Sequence, residues 1–399
     1  MEVNVRSSLI NEHILNERID LLAAVDAVDT PFISCYLDIQ SGRNSCFSFI
    51  REQTEHIVSK LSGVARLDFE EAIDLVHDAL NHDWPSEISG LAIFARGVSG
   101  GRFLCVIPFA LPFEQRMEFC RVPDIRPLLR FRDEVRPYTL LRARNSDIEI
   151  IDISYGSSVN MGRIIANPLD NDRRITETEL KVKTSSCSIR HRPADISLQS
   201  LRGLLAQKRG RPIVLAGDDE QLDTLRNWFP GWLRSRLGEI VTLPCNLSEH
   251  DVQRKVTDHL AARQRDRNRC FAASFVEAYN HDREAVSGTT ETIGALHAGV
   301  VETLLVTTGP GNPHSFDRFG PANRYIGSLT GYPSFLAPDL SWDPAIELCR
   351  IAYQHGVDIV VTDSDEIAKI GGIGGVLRGP VESQVMPLPV VEDGLRRVA

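Results

Sequence analysis

The stretch Lys369–Pro380, "KIGGIGGVLRGP", sets Gly371, Gly372, Gly374 and Gly375 within five positions. Such a run is either a phosphate cradle or a structural turn. A Walker loop needs Lys and Ser/Thr after its last glycine, and then a helix. Here Val376, Leu377, Arg378, Gly379 and Pro380 follow, and the proline blocks a helix. The dinucleotide spacing G-x-G-x-x-G, counted from Gly372, finds Gly374 but meets Leu377 where the third glycine belongs. The preceding strand-like run, "VDIVVTD" (357–363), is separated from the glycines by "SDEIAKI" (364–370). What remains is a tight turn, or a close backbone approach between a short helix and a strand.

Working outward, "TTETIGALHAGVVETLLVTT" (289–308) reads as a helix capped by Thr289 or Thr290, then a strand. "PAIELCRIAYQHG" (344–356) reads as a helix ending at Gly356. Towards the N-terminus, "TPFISCYLDI" (30–39) is a buried strand, followed by helices over 47–61 and from an Asp68 cap over 68–82. "GLAIFARG" (90–97) and "RFLCVIPFAL" (102–111) form a hairpin. "YTLLRA" (138–143) and "IEIIDIS" (148–154) are strands joined by "RNSD" (144–147). Between Ser158 and Ala194 the pattern dissolves into a long loop. A helix capped by Asp195 or Ser197, a strand in "RPIVLAGD" (211–218), a helix from "DDEQ" and a long helix over 248–281 follow.

The chain has 399 residues, more than one core of about 250–300 residues accommodates. Helices alternate with strands, which predicts an α/β fold of three consecutive α/β sandwich domains: 1–134, 135–270 and 271–399. With 42% hydrophobic and 25% charged residues the composition is that of a soluble globular protein. No apolar run approaches the roughly 20 residues of a membrane span, and the first residues lack a secretory signal pattern, so the expected compartment is the cytoplasm. A net charge of −10 argues against nucleic-acid binding driven by the whole-molecule field, but leaves room for local basic faces. Eight scattered cysteines show no C-x-x-C and are expected to be buried thiols. His281, His297, His314 and His355 stand in no ligand spacing, and no G-x-S-x-G elbow is present. No metal, cofactor or catalytic residue is assigned.

Three segments in order, "TETIGALHAGVVETLLV", "AIELCRIAYQHGVDIVVTDSDE" and "IGGIGGVLR", resemble the C-terminal domain of archaeal and eukaryotic class 1 peptide chain release factors. Ala295-Leu296, Gly299-Val300-Val301, Thr303-Leu304-Leu305, Thr362-Asp363 and Gly371 to Arg378 carry the match. "PFISCYLDI", "GLAIFA", "RPYTLLRARNSDIEIIDISYG" and "PIVLAGD" look like the first two domains of the bacterial branch of that superfamily. That branch includes Balon-like hibernation factors and rescue-type peptidyl-tRNA hydrolases. The resemblance implies partners in ribosomal RNA and tRNA, and a translational GTPase such as elongation factor Tu. The sequence departs from the family in having no Gly-Gly-Gln and no Asn-Ile-Lys-Ser. Two glycines let a loop enter a crowded RNA pocket and the glutamine orients the attacking water, so the chemistry needs that tripeptide. The resemblance therefore implies a ribosome-associated protein that occupies the A site without cleaving peptidyl-tRNA, in hibernation or stalled-ribosome handling. The alternatives are a rescue hydrolase with a displaced catalytic residue and a stress-linked interaction module that no longer meets the ribosome.

The loop that would carry the tripeptide ends in "LKVKTSSCSIRHRPA" (180–194), where Lys181, Lys183, Arg190 and Arg192 stand without an acidic residue and His191 adds a donor. Arg173 and Arg174 lie upstream. A basic, serine-rich loop suits phosphate contact through counterion release. "RKVTDHLAARQRDRNR" (254–269) is a second basic stretch, in which Arg263 and Arg267 share one helical face and Arg265 and Arg269 another. Phe316, Phe319, Arg324 and Tyr325, in the irregular segment 309–342, are candidates for base stacking or partner packing.

Overall fold

A computed structural model describes residues 10–26, 32–59, 61–144, 147–165, 198–208, 210–281, 284–307 and 343–379. The chain divides into two compact units: residues 13–134 together with those from Arg263 onward, and residues 135–262. Three sheets are present, and the fold is α/β.

The first unit opens with α1 (Glu12–Ala23), β1 (Phe32–Asp38), α2 (Arg43–Val58), α3 (Gly63–Asn81), β2 (Gly90–Arg96), β3 (Phe103–Phe109), β4 (Arg116–Cys120) and α4 (Arg126–Glu134). The strands form an antiparallel sheet in the order β3-β2-β1-β4. Alternate residues Ile33, Cys35 and Leu37 of β1 face one core with Phe69, Ala72 and Val76 of α3. Tyr36, on the opposite side of the pleat, is also buried and donates its hydroxyl hydrogen to the Asp124 carbonyl at 2.6 Å. Burial on both faces explains why β1 reads as a continuous apolar run rather than an alternating one. The hairpin expected from 90–111 is formed, with Ile93 opposite Val106.

The expected Asp68 cap is corrected. α3 starts five residues earlier, after Ser62, and Asp68 is fully buried inside the helix, where its Oδ1 accepts the Gly100 amide at 3.2 Å. The carboxylate serves a neighbouring turn instead of its own helix start.

The second unit contains β5 (Tyr138–Arg144), β6 (Asp147–Ser154), β7 (Ser157–Ile165), α5 (Leu198–Gln207), β8 (Ile213–Gly217), α6 (Asp219–Trp228), α7 (Gly231–Arg234), β9 (Leu237–Thr242) and the first part of α8 (Glu249–Asn280). Its sheet runs β7-β6-β5-β8-β9, antiparallel on the β6 side and parallel through β8 and β9. Leu201, Leu205, Leu225, Phe229 and Leu233 cover one face, and Val252 and Val256 of α8 help to cover the other. The loop expected to begin at Ser158 is shortened by β7, which pairs with β6 up to Ile165. Polar residues such as Ser158 and Asn160 hide this strand from a reading by hydrophobic period, since ladder hydrogen bonds ask nothing of the side chains. The expected caps Asp195 and Ser197 lie outside the described residues.

The first unit resumes with the rest of α8, β10 (Ala285–Ser287), α9 (Thr289–His297), β11 (Val301–Thr307), α10 (Pro344–Gln354), β12 (Asp358–Thr362), α11 (Asp365–Lys369) and β13 (Ile373–Leu377). The sheet order is β10-β13-β11-β12, with β11 and β12 parallel and β13 antiparallel to both its neighbours. The threonine cap expected for α9 is corrected: Gly288 holds the cap position, and Thr289 and Thr292 are buried in the first turn. Gly356 follows α10 with φ +66°, as a helix-ending glycine should. Five cysteines are buried as expected (Cys35, Cys46, Cys105, Cys120 and Cys349), but Cys245 and Cys270 are exposed, and Cys187 lies outside the described residues.

Candidate nucleic-acid interface

The glycine run separates into two devices. Gly371 and Gly372 have φ of +111° and +74° and turn the chain from α11 into β13. The Gly372 amide donates to the Ile367 carbonyl at 2.9 Å, and its own carbonyl accepts the Thr307 amide at 3.0 Å. Gly374 and Gly375 lie within the β13 ladder, opposite Leu305 and Leu304 of β11. A Cβ on Gly374 would stand 2.3 Å from Cζ of Phe275, which α8 lays across the strand. The first pair supplies a left-handed turn and the second makes room for a ring, while the Gly372 amide is spent inside the fold. Nothing in this arrangement offers a nest of amides to a phosphate.

Of the basic candidates, Arg173, Arg174, Lys181, Lys183, Arg190, His191 and Arg192 lie outside the described residues, as do Phe316, Phe319, Arg324 and Tyr325. Arg263 and Arg267 are exposed, one turn apart on α8, and Arg267 Nη1 donates to Gln264 Oε1 at 3.3 Å. The other pair on α8 is engaged. Arg265 lies 3.7 Å from Glu134, and Arg269 lies 3.3 Å from Asp363 and 3.6 Å from Asp266. Gln264 and Asn268 both donate to Asp133 Oδ2, at 3.1 and 3.0 Å. The helix thus turns one polar face to the end of α4 and leaves Arg263 and Arg267 towards solvent. Burial disfavours the charged form of Asp363, but the hydrogen bond from Arg269 and the nearby Arg130 outweigh it and hold its carboxyl below the usual range.

A buried ionic cluster lies where the N-terminal and C-terminal parts of the first unit meet, and no motif announces it. Arg126 is fully buried, with Nε 2.8 Å from Asp124 Oδ1 and Nη1 2.7 Å from Asp343 Oδ2. Arg116 lies 3.5 Å from Asp124 and 2.9 Å from Glu118. Burial raises the Asp124 carboxyl and the arginines lower it more, for a net shift below the ordinary value. Glu118 goes the other way, because burial outweighs Arg116. Asp124 and Asp343 are 219 positions apart in sequence, counted from their residue numbers, so only the folded chain brings them together. The cluster is internally paired, which marks it as structural.

Among the described residues no group of three or more His, Cys, Asp or Glu could hold a metal ion, and no helix is long and apolar enough to cross a membrane.

No family model matches the sequence, and no curated protein matches it. Solved structures do. The archaeal translation termination factor aRF1 matches at 13% identity, over 93% of this chain and 99% of its own, with a TM-score of 0.28. Pelota of Archaeoglobus fulgidus matches at 13% identity over 73% and 80%, with a TM-score of 0.34. Dom34 of S. cerevisiae, a translation termination-like factor, matches at 10% identity over 73% and 79%, with a TM-score of 0.37.

Proposed function

We propose that this chain is a release-factor-like protein of the bacterial branch described above, which binds the ribosomal A site without hydrolysing peptidyl-tRNA. Its setting is ribosome hibernation or the handling of stalled ribosomes, in the cytoplasm. The observation that carries this reading is the placement of the three resembling segments. They fall in order on α9–β11, on α10–β12 and on β13, all of one sheet, and the glycines of the third answer specific demands of that sheet. In this reading the domains are 1–134, 135–270 and 271–399. The central domain directs the basic stretch Lys181–Arg192 to ribosomal RNA, with Arg263 and Arg267 as a second contact, and the C-terminal domain meets a translational GTPase such as elongation factor Tu. The absence of Gly-Gly-Gln, which orients water at the ester in the family, supports binding separated from cleavage.

The deciding experiment sediments the purified protein with ribosomes across a salt series, then assays peptidyl-tRNA cleavage on the bound fraction. Binding without cleavage is the expected result. Failure to co-sediment even at low salt overturns the proposal, and cleavage by the bound protein overturns its non-catalytic half.

A further inference from the structure

Many arginines of the described chain are held by carboxylates. Arg66 pairs with Glu70, Arg126 with Asp124 and Asp343, Arg142 with Glu149, Arg211 with Asp152 and Arg350 with Glu347. The stretch "LRNWFPGWLRSRLG" (Leu225–Gly238) differs. It carries Arg226, Arg234 and Arg236 with Trp228 and Trp232, and contains no Asp or Glu. Leu225, Phe229 and Leu233 enter one core together with Leu201 and Leu205 of α5, so that α5, α6 and α7 pack on the same core. Arg202 of α5 then lies over the Trp232 ring, 5.8 Å from its centroid. Arg236 Nη2 donates to the Leu205 carbonyl at 3.3 Å. Arg202, Arg226 and Arg234 are exposed, and Arg236, Trp228 and Trp232 are half-buried. Among the described residues none of the four arginines meets a carboxylate within ion-pair distance.

An indole face positions a guanidinium without neutralising it, so Arg202 keeps its charge and its fork of N–H donors. Planar forks suit phosphate oxygens, and rings among them suit bases. On a chain of net charge −10 the stretch Leu225–Gly238 is a local run of arginine without acid, whereas Asp219, Glu220 and Asp223 stand nearer the start of α6. We propose that the α5–α7 edge is an RNA-binding surface, in which Arg202, Arg226, Arg234 and Arg236 contact backbone phosphates and Trp232 orients Arg202. The surface is separate from the basic stretch 181–192 and from Arg263 and Arg267, and it does not depend on the ribosome being the source of the RNA.

The test uses the full chain and a short fluorescein-labelled RNA hairpin, with binding followed by anisotropy across a sodium chloride series. The triple exchange Arg202→Gln, Arg226→Gln and Arg234→Gln is expected to weaken binding about tenfold or more at low salt. It should also flatten the log–log salt slope by roughly 2–3, because each lost phosphate contact removes about 0.7–0.9. Trp232→Phe, which keeps a ring under Arg202, should cost less affinity than Trp232→Ala. If the triple exchange lowers the melting temperature, the single exchanges decide instead, each expected to flatten the slope by about 0.7–0.9. Unchanged affinity and slope overturn the proposal. So does wild-type protein binding poly-glutamate as tightly as the hairpin, because the patch would then be a protein-docking site. Ribosome co-sedimentation is a separate readout, so a failure of one proposal is distinguishable from a failure of the other.

Discussion

At the scale of single residues, two positions carry the fold's most specific demands. Gly374 is required by the Phe275 ring, since an added Cβ would meet Cζ at 2.3 Å and Cε1 at 2.8 Å. Gly374→Ala should therefore destabilise the protein by about 1–3 kcal/mol, as overpacking does. Gly294, inside α9 with nothing within 4 Å of its missing Cβ, is the contrast. Gly294→Ala should be neutral or stabilise by roughly 0.5–1 kcal/mol, because the helix no longer restricts a glycine. Urea unfolding of both variants checks the pair, and equal effects would undo the steric argument. Arg126 is the second position. Arg126→Met leaves Asp124 and Asp343 buried with one positive partner fewer, and should cost about 3–5 kcal/mol at neutral pH. The sign of its pH dependence follows from linkage. In the wild type the Asp124 carboxyl is lowered on folding, so its stabilisation is present above its unfolded value and is lost as pH falls through the folded one. In the variant, protonation relieves the Asp124 carboxylate, which keeps Arg116 but has lost Arg126. The stability gap between the two proteins should therefore narrow as pH falls from 7 towards 4, measured by denaturant midpoints at each pH.

At the scale of elements, α8 divides its arginines by task. Arg265 and Arg269 tie the helix to Glu134 and Asp363, whereas Arg263 and Arg267 point to solvent. Replacing Arg265 and Arg269 by Gln should lower stability slightly, since ion pairs at or near the surface contribute little. Replacing Arg263 and Arg267 by Gln should weaken ribosome binding. Thermal melts and co-sedimentation on the two double variants separate these outcomes, and a reversed pattern would exchange the roles. Much of this scale was legible in the sequence. The apolar runs of β1, β2, β5, β8 and β11 stand out because burial selects side chains, and the helical period of α3 and α10 stands out for the same reason. β7 was not legible, because ladder pairing leaves no mark in polar residues such as Ser158 and Asn160. The starts of α3 and α9 were misread because Asp68 and Thr289 look like capping residues but are buried by tertiary contacts that no local pattern encodes. The Arg126 cluster was invisible for the same reason, since its carboxylates come from distant parts of the chain.

At the scale of the whole molecule, charge poses the central physical problem. Under the proposed function, a chain with 54 acidic and 44 basic side chains approaches RNA against its own net field, so binding would come from local concentrations of cation. The stretch Leu180–Ala194 holds four lysines and arginines and no acid, which makes it such a concentration. If those four cations each neutralise a phosphate, replacing Lys181, Lys183, Arg190 and Arg192 together by Ala removes up to four released counterions. The log–log salt slope of ribosome binding should then flatten by roughly 3–4, and binding at low salt should weaken by more than about tenfold. The melting temperature serves as the control for the fold. A slope that stays at its wild-type value would mean that the acidic molecule meets the ribosome through some other surface. Hairpin binding by the α5–α7 variants would then show whether that surface is the arginine–tryptophan edge.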